Sequence, residues 1–177
     1  MLKTGLLQVY TGEGKGKTTA ALGLTWRALG AGLRVCVLQF LKGGIATSEA
    51  SLVERFGPRL TFTYFAHELS PVTFGGAPTD SDRAAVAEAW AAARVALADP
   101  RNDLVILDEI NNAMALRLLE VGEVLAALGD RPAHMEVVCT GRGAPPELIA
   151  RADLVTEMKC IRHPYADGTR ARRGIEF

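Results

Sequence analysis

The sequence predicts an α/β protein in three layers, a mostly parallel sheet flanked by helices. Three observations predict it. Short, nearly continuous apolar runs recur: LLQVY at 6–10, RVCVLQF at 34–40, LVIL inside DLVILDE at 103–109 and MEVVCTG at 135–141. Runs of that kind are strands buried on both faces, as in parallel sheets covered by helices. Longer stretches with helical spacing lie between them, and strand–helix alternation is the signature of that architecture. The first run also passes straight into a glycine-rich turn and then into good helix formers.

The remaining elements follow in order. TTAALGLTWRAL at 18–29 is a helix, stopped by the glycines of GAG at 30–32. TSEASLVERFG at 47–57 reads as a short helix with Thr47 or Ser48 as cap, ending at Gly57-Pro58. LTFTYFA at 60–66 is a third strand by its aromatic and β-branched content. Residues 67–79, with two prolines and a double glycine, form a loop. From 80 to 100 a helix opens on acidic residues, carries Val86, Trp90, Ala93 and Leu97 as an apolar stripe and stops at Pro100. PPELIARA at 145–152 is a helix opened by proline, and DLVTEM at 153–158 a last strand. The tail from 159 is polar and basic. Trp26 and Trp90 fall at helical positions and are read as core.

Composition excludes several classes. At 177 residues the chain has the length of one domain with a substantial core. Twenty Lys and Arg balance twenty Asp and Glu, which lacks the basic excess of a general nucleic-acid binder, so no nucleic acid is expected as a partner. No apolar stretch is long enough for a membrane span, and the N-terminus reads as no secretory signal. Cys36, Cys139 and Cys160 are widely spaced and odd in number; free thiols in a reducing, cytoplasmic setting are the expectation.

Residues 11–19 read TGEGKGKTT. The standard phosphate-loop spacing, G-x-x-x-x-G-K-[ST], would put its first glycine at position 11, which is Thr11. Gly12 stands one residue too close. The strand–loop–helix context is nevertheless the one a phosphate site needs. Glycines let backbone N–H groups turn around an anion, and the helix N-terminus adds its positive end. Gly12, Glu13, Gly14, Lys15, Gly16, Lys17, Thr18 and Thr19 are therefore the candidate nucleotide-binding residues. Lys17 would bring a full charge to the phosphate oxygens and Thr18 a hydroxyl to Mg²⁺. Lys15 reads either as a phosphate ligand or as a solvated loop charge. Asp108 and Glu109 close the apolar run at 103–109 and supply the acidic half of such a site. Alternation sends the two side chains to different sides, so only one reaches a cation directly.

TGEGKGKTT, LQFLKG, LVILDEI, TGRGAPPELIARADLVTEM and RHPYADGTRARRGIEF, in that order, resemble the phosphate-loop ATP:corrinoid adenosyltransferases, which act on cob(I)alamin or cob(I)yrinic acid a,c-diamide. The resemblance implies a RecA-like phosphate-loop architecture, with residues 1–177 forming one adenosyltransferase domain. It implies a reaction in which Co(I) attacks the 5′-carbon of ATP and tripolyphosphate leaves. ATP is expected to lie in the reverse direction along the shortened loop. It implies Lys17 and Glu109 as catalytic residues, and Thr18 with Glu109, rather than Asp108, as the Mg²⁺ side. Arg142 of TGRG either contacts nucleotide or phosphate or packs on the surface. An external reductase such as a reduced flavoprotein and a homodimer are the implied partners.

The region after the third strand departs from the family pattern, in which aromatic rings displace the lower ligand of cobalt. Here it reads FTYFAHELSPVTFGG, and Phe62, Tyr64, Phe65 or Phe74 would have to serve, unless they are simply core residues. His67 lies in that loop, His134 precedes a strand and His163 belongs to the tail. Two other readings compete: a phosphate-loop NTPase or kinase acting at the γ-phosphate, and a non-catalytic nucleotide-gated protein that binds corrinoid or a partner.

Overall fold

The computed structural model describes residues 3–41, 49, 53–65 and 76–175. Six strands, β1 (Leu7–Thr11), β2 (Val35–Gln39), β3 (Leu60–Tyr64), β4 (Leu104–Asp108), β5 (Glu136–Thr140) and β6 (Leu154–Glu157), form one sheet in the order β3-β2-β4-β5-β1-β6. Every pairing is parallel, so the expected mostly parallel sheet is entirely parallel among the described residues. β5 stands between β1, which leads into the glycine-rich loop, and β4, which ends at Asp108. That separation is the RecA-like arrangement.

The helices are α1 (Lys17–Gly30), α2 (Val53–Phe56), α3 (Asp80–Ala98), α4 (Ile110–Ala115), α5 (Val121–Gly129) and α6 (Pro146–Arg151). β4 shows why the sheet needs cover on both faces. Val105 and Leu107 pack into a cluster with Val86, Ala89, Trp90, Ala93 and Leu97 of α3, Val124 and Leu128 of α5 and Leu148 of α6. Leu104 and Ile106 point the other way, with Ala21, Ala28 and Leu29 of α1. Period-two alternation therefore feeds two cores from one strand. Each fully buried aliphatic side chain there is worth about 1.5–3 kcal/mol of transfer free energy.

α3 has the best-defined start. Thr79 caps it, its Oγ1 accepting from the Asp82 N–H (3.2 Å) while Asp82 Oδ2 accepts from the Thr79 N–H (2.7 Å). This reciprocal box satisfies two backbone donors that helix geometry leaves over.

Some expectations change. Residues 110–134, to which the sequence reading gave no element, hold α4 and α5. The third strand ends at Tyr64, short of position 66. Of the helix expected over 47–57, α2 and a 3-10 turn at Gly57–Arg59 are described, and much of the rest lies outside the described residues. Trp90 is buried, but Trp26 is 60% exposed, its ring set edge-on to Phe56 at 5.1 Å between centroids. α1 therefore turns its small residues, not its tryptophan, to the sheet. Cys36 and Cys139 are buried free thiols; burial pushes the first up to about 11 and the second up to about 12. Cys160 is free and exposed. No helix of the described residues is long and apolar enough to cross a membrane.

The capping box yields the first prediction. Thr79→Ala should lower unfolding free energy by about 1 kcal/mol, read from the midpoint of urea denaturation; an unchanged midpoint would mean that α3 needs no cap.

Candidate active site

β1 ends at Thr11 and α1 begins at Lys17, so residues 12–16 form the turn between them. Gly12 has φ +94° and Gly16 φ +121°, conformations that side chains disfavour. α1 has no acidic residue in its first turn and no side-chain cap at Gly16. Its leading amides and dipole therefore offer themselves to an anion.

The outer wall of the loop is the chain just past β6. The Met158 N–H donates to Thr11 O (2.8 Å), and the Gly14 N–H donates to Met158 O (2.7 Å). The parallel pairing of β1 with β6 thus continues into the loop, and one loop amide is turned outward. A Cβ on Gly12 would fall 2.5 Å from Met158 O, and one on Gly14 would fall 2.7 Å from Lys159 O. Here the loop runs flush against residues 158 and 159, which leaves little space for a longer turn on that side.

Inside the loop, Lys17 is only 8% exposed, and its Nζ donates to Gly12 O (2.6 Å) and Gly14 O (2.8 Å). Burial pushes its pKa down from the ordinary lysine value; Glu109, Glu13 and Asp108 oppose that shift and Arg142 adds to it. The ammonium is thus held on loop carbonyls with carboxylates around it. Thr19 and Glu13 are exposed. Lys15, also exposed, donates from Nζ to Ile175 O (2.7 Å).

The carboxylates separate as alternation requires. Asp108 is 1% exposed. Its Oδ1 accepts from Thr18 Oγ1 (2.8 Å) and Thr140 Oγ1 (2.5 Å), and its Oδ2 from Gln39 Nε2 (3.1 Å). The carboxylate that Thr18 touches is therefore Asp108; the resemblance names Thr18 and Glu109 as metal-side groups, which does not require them to touch. Glu109 is half-buried and left-handed (φ 65°, ψ 13°), and its N–H donates to Thr140 Oγ1 (3.1 Å). Such a backbone costs a non-glycine residue on the order of 1 kcal/mol or more. The Glu109 charge opposes the lowering of the Lys17 pKa by burial.

Arg142 reaches the loop through an ion pair, Nε to Glu13 Oε2 at 3.2 Å, between two exposed side chains. Its backbone is fixed from behind, its N–H donating to Asn112 Oδ1. Asn111, fully buried, donates from Nδ2 to Tyr10 O (3.3 Å) and Gly141 O (3.2 Å), tying the ends of β1 and β5 together. The Ala144 N–H donates to Thr11 Oγ1 (3.3 Å). Sequence reasoning missed Gln39, Thr140 and the two asparagines. The signals were the place of Gln39 and Thr140 at the end of apolar runs, Gln39 within LQFLKG, and the place of the asparagines just beyond the acidic pair.

Of the other candidates, Phe65 is core (8% exposed), Phe62 packs partly on the α1-side cluster, and Tyr64 is 41% exposed at the end of β3. Phe74 and His67 lie outside the described residues. His134 Nε2 lies 3.1 Å from Pro100 O, away from the loop.

The turn, the helix start and the carboxylates at the C-terminal sheet edge define a phosphate-loop nucleotide-binding protein. Residues 3–177 match the ATP:corrinoid adenosyltransferase BtuR/CobO/CobP family, and the chain belongs to it. A corrinoid adenosyltransferase of Pseudomonas aeruginosa is 41% identical over 98% of this chain and 84% of its own length. One of Sinorhizobium sp. is 42% identical over 98% and 80%. A crystal structure of the RadB recombinase superposes with a TM-score of 0.49 at 16% identity, covering 92% of this chain and 78% of that one.

Because the loop is seated on 158–159, Gly14→Ala should part the two. We expect a stability loss of about 1–3 kcal/mol, comparable to overpacking a filled site, measured by thermal unfolding. An unaffected melting temperature would show that the wall yields freely.

Proposed function

We propose that this chain transfers the 5′-deoxyadenosyl group of ATP to the Co(I) of a corrinoid, cobalamin or cobyrinic acid a,c-diamide, releasing tripolyphosphate, in adenosylcobalamin biosynthesis or salvage. The observation that carries the reading is the shortened phosphate loop backed by a strand-end carboxylate, in a chain that belongs to the adenosyltransferase family. The whole chain works as one domain in the cytoplasm. A homodimer and an external reductase, a reduced flavoprotein, complete the system.

The chemistry asks little proton transfer of the protein. Co(I) is a strong nucleophile, so no general base is assigned. The cobalt–carbon bond forms with the cobalt electron pair, and the C5′–O bond breaks with its pair passing to tripolyphosphate. Placing C5′ in line with cobalt is catalysis by orientation. Stabilising charge on the leaving oxygens is electrostatic catalysis. Lys17 and the amides at the start of α1 take that role, with Gly12, Gly14 and Gly16 allowing the backbone to curl round the phosphates. Arg142 leaves its exposed pairing with Glu13, worth at most about 1 kcal/mol, for the phosphate oxygens.

Thr18 and Glu109 are the metal-side groups of this reading, and Asp108 orients Thr18 through their 2.8 Å hydrogen bond. Hydroxyl and carboxylate oxygens suit a hard cation that keeps water and phosphate oxygens as its remaining ligands. Bound Mg²⁺ would neutralise part of the triphosphate charge. The one-residue shortening supports ATP lying in the reverse direction, because the outward Gly14 amide changes the shape of the nest from that of an ordinary loop. At the corrinoid side, the exposed ring of Tyr64 favours it over buried Phe65 as the group that covers the lower face of cobalt.

Anaerobic incubation with ATP, Mg²⁺ and chemically reduced cobalamin should give the visible-spectrum change of a cobalt–carbon bond and free tripolyphosphate; ADP with phosphate instead would mean γ-phosphate chemistry. In the same assay Lys17→Ala should raise the barrier by about 2–4 kcal/mol. Near-normal turnover in that variant would remove the loop from the reaction.

A further inference from the structure

The basic tail is not absorbed by the reading above, and the structure pins it to the phosphate loop at both ends. At one end, a Cβ on Gly14 would fall 2.7 Å from Lys159 O, so residue 159 lies directly against the loop. At the other, Lys15 Nζ donates to Ile175 O at 2.7 Å. Residues 159–175 therefore leave the loop beside Gly14 and return to it beside Lys15. The tail from residue 159 onward carries Lys159, Arg162, Arg170, Arg172 and Arg173 against the carboxylates of Asp167 and Glu176, in a chain whose net charge is zero.

The side-chain charges around the loop balance one another. Lys15, Lys17 and Arg142 stand against Glu13, Asp108 and Glu109, and four of these groups act electrostatically on Lys17. By side-chain count these three cations and three carboxylates cancel, which leaves the α1 amides and a bound cation to meet the polyphosphate charge. The returning end of the strap adds to these. A turn closes there, the Ile175 N–H donating to Arg172 O at 3.2 Å, which keeps Arg173 compactly beside the Lys15 contact. Two residues of chain span no more than about 7 Å, less than the added reach of an extended arginine side chain.

We propose that the strap 159–175 is a cationic wall of the triphosphate site, with Arg170 and Arg173 binding the polyphosphate, and that it contributes to holding tripolyphosphate as the leaving group. Arginines at the rim suit this role, because the guanidinium stays charged and forks onto phosphate oxygens. The inference rests on the functional reading above.

The test uses inorganic tripolyphosphate, titrated against the full chain in direct binding and as an inhibitor of ATP. Arg170→Gln/Arg173→Gln should weaken tripolyphosphate binding about tenfold, the loss growing at low ionic strength, while affinity for adenosine is unchanged. Arg170→Lys/Arg173→Lys should recover part of the loss. Unchanged tripolyphosphate affinity in the glutamine variant, with an unchanged melting temperature and with Lys17→Ala still weakened, would overturn the strap alone. Equal tripolyphosphate affinity in wild type, the strap variant and Lys17→Ala would overturn both the strap and the loop as the polyphosphate site.

Discussion

The site depends on one buried carboxylate. Asp108 sits at the end of a strand covered on both faces, at 1% exposure, where an unsatisfied charge would be prohibitive. Donors from three different elements are among those that meet it: Gln39 at the end of β2, Thr140 at the end of β5 and Thr18 in the first turn of α1. Charge-assisted hydrogen bonds of this kind are stronger than neutral ones, and loss of a partner in a dry setting leaves its full desolvation penalty exposed. The cluster therefore fixes α1, and with it the phosphate loop, relative to the sheet edge. Thr140 has a second duty, since its oxygen also accepts the Glu109 N–H at 3.1 Å. That contact accompanies the left-handed turn at Glu109, which sends successive carboxylates to different places.

Around this knot the loop is ordered by acceptors of its own. Lys17 rests on two loop carbonyls, Lys15 on the carbonyl of Ile175 and Arg142 on Glu13. Each cation is thus held near the loop before any phosphate arrives, which lowers the ordering cost of binding. The contacts differ in strength. The Arg142 pair is exposed on both sides and screened by salt, whereas Lys17 is nearly buried and its charge is opposed by desolvation. A phosphate would meet a lysine already stripped of most water, the condition under which its charge acts most strongly.

Much of this was legible in the sequence. The parallel sheet followed from apolar runs that β4 illustrates best, all five of its residues being buried. The phosphate loop followed from glycine and lysine spacing beside a strand. Asp108 and Glu109 were legible as a pair, but the assignment of Thr18 to one of them was not, because it depends on the side of the sheet that faces α1. Asn111 and Asn112 were illegible for a different reason. Their donors and acceptors are backbone groups of β1, β5 and the Gly141 turn, distant in sequence, and nothing local signals such partners. Trp26 was misread because a helix of small residues can lie close to a sheet without inserting its largest side chain; Ala21 and Ala28 make that contact instead.

The missing residue in the glycine-rich loop has a structural counterpart in the edge strand. In a loop that closes on a phosphate, amides point inward; here the Gly14 N–H points out, continuing the β1–β6 ladder through Met158. Adding a residue on that side would have to break this bond or push the chain off Lys159, since even a methyl at Gly14 or Gly12 meets backbone at under 3 Å. Loop length and edge strand therefore specify each other. β6 is exposed along its whole length, so core packing gives little reason for its position. Its ladder to β1 and the seat it offers the loop give the stronger reason. The outermost strand of the sheet thus shapes the site as much as the core strands do.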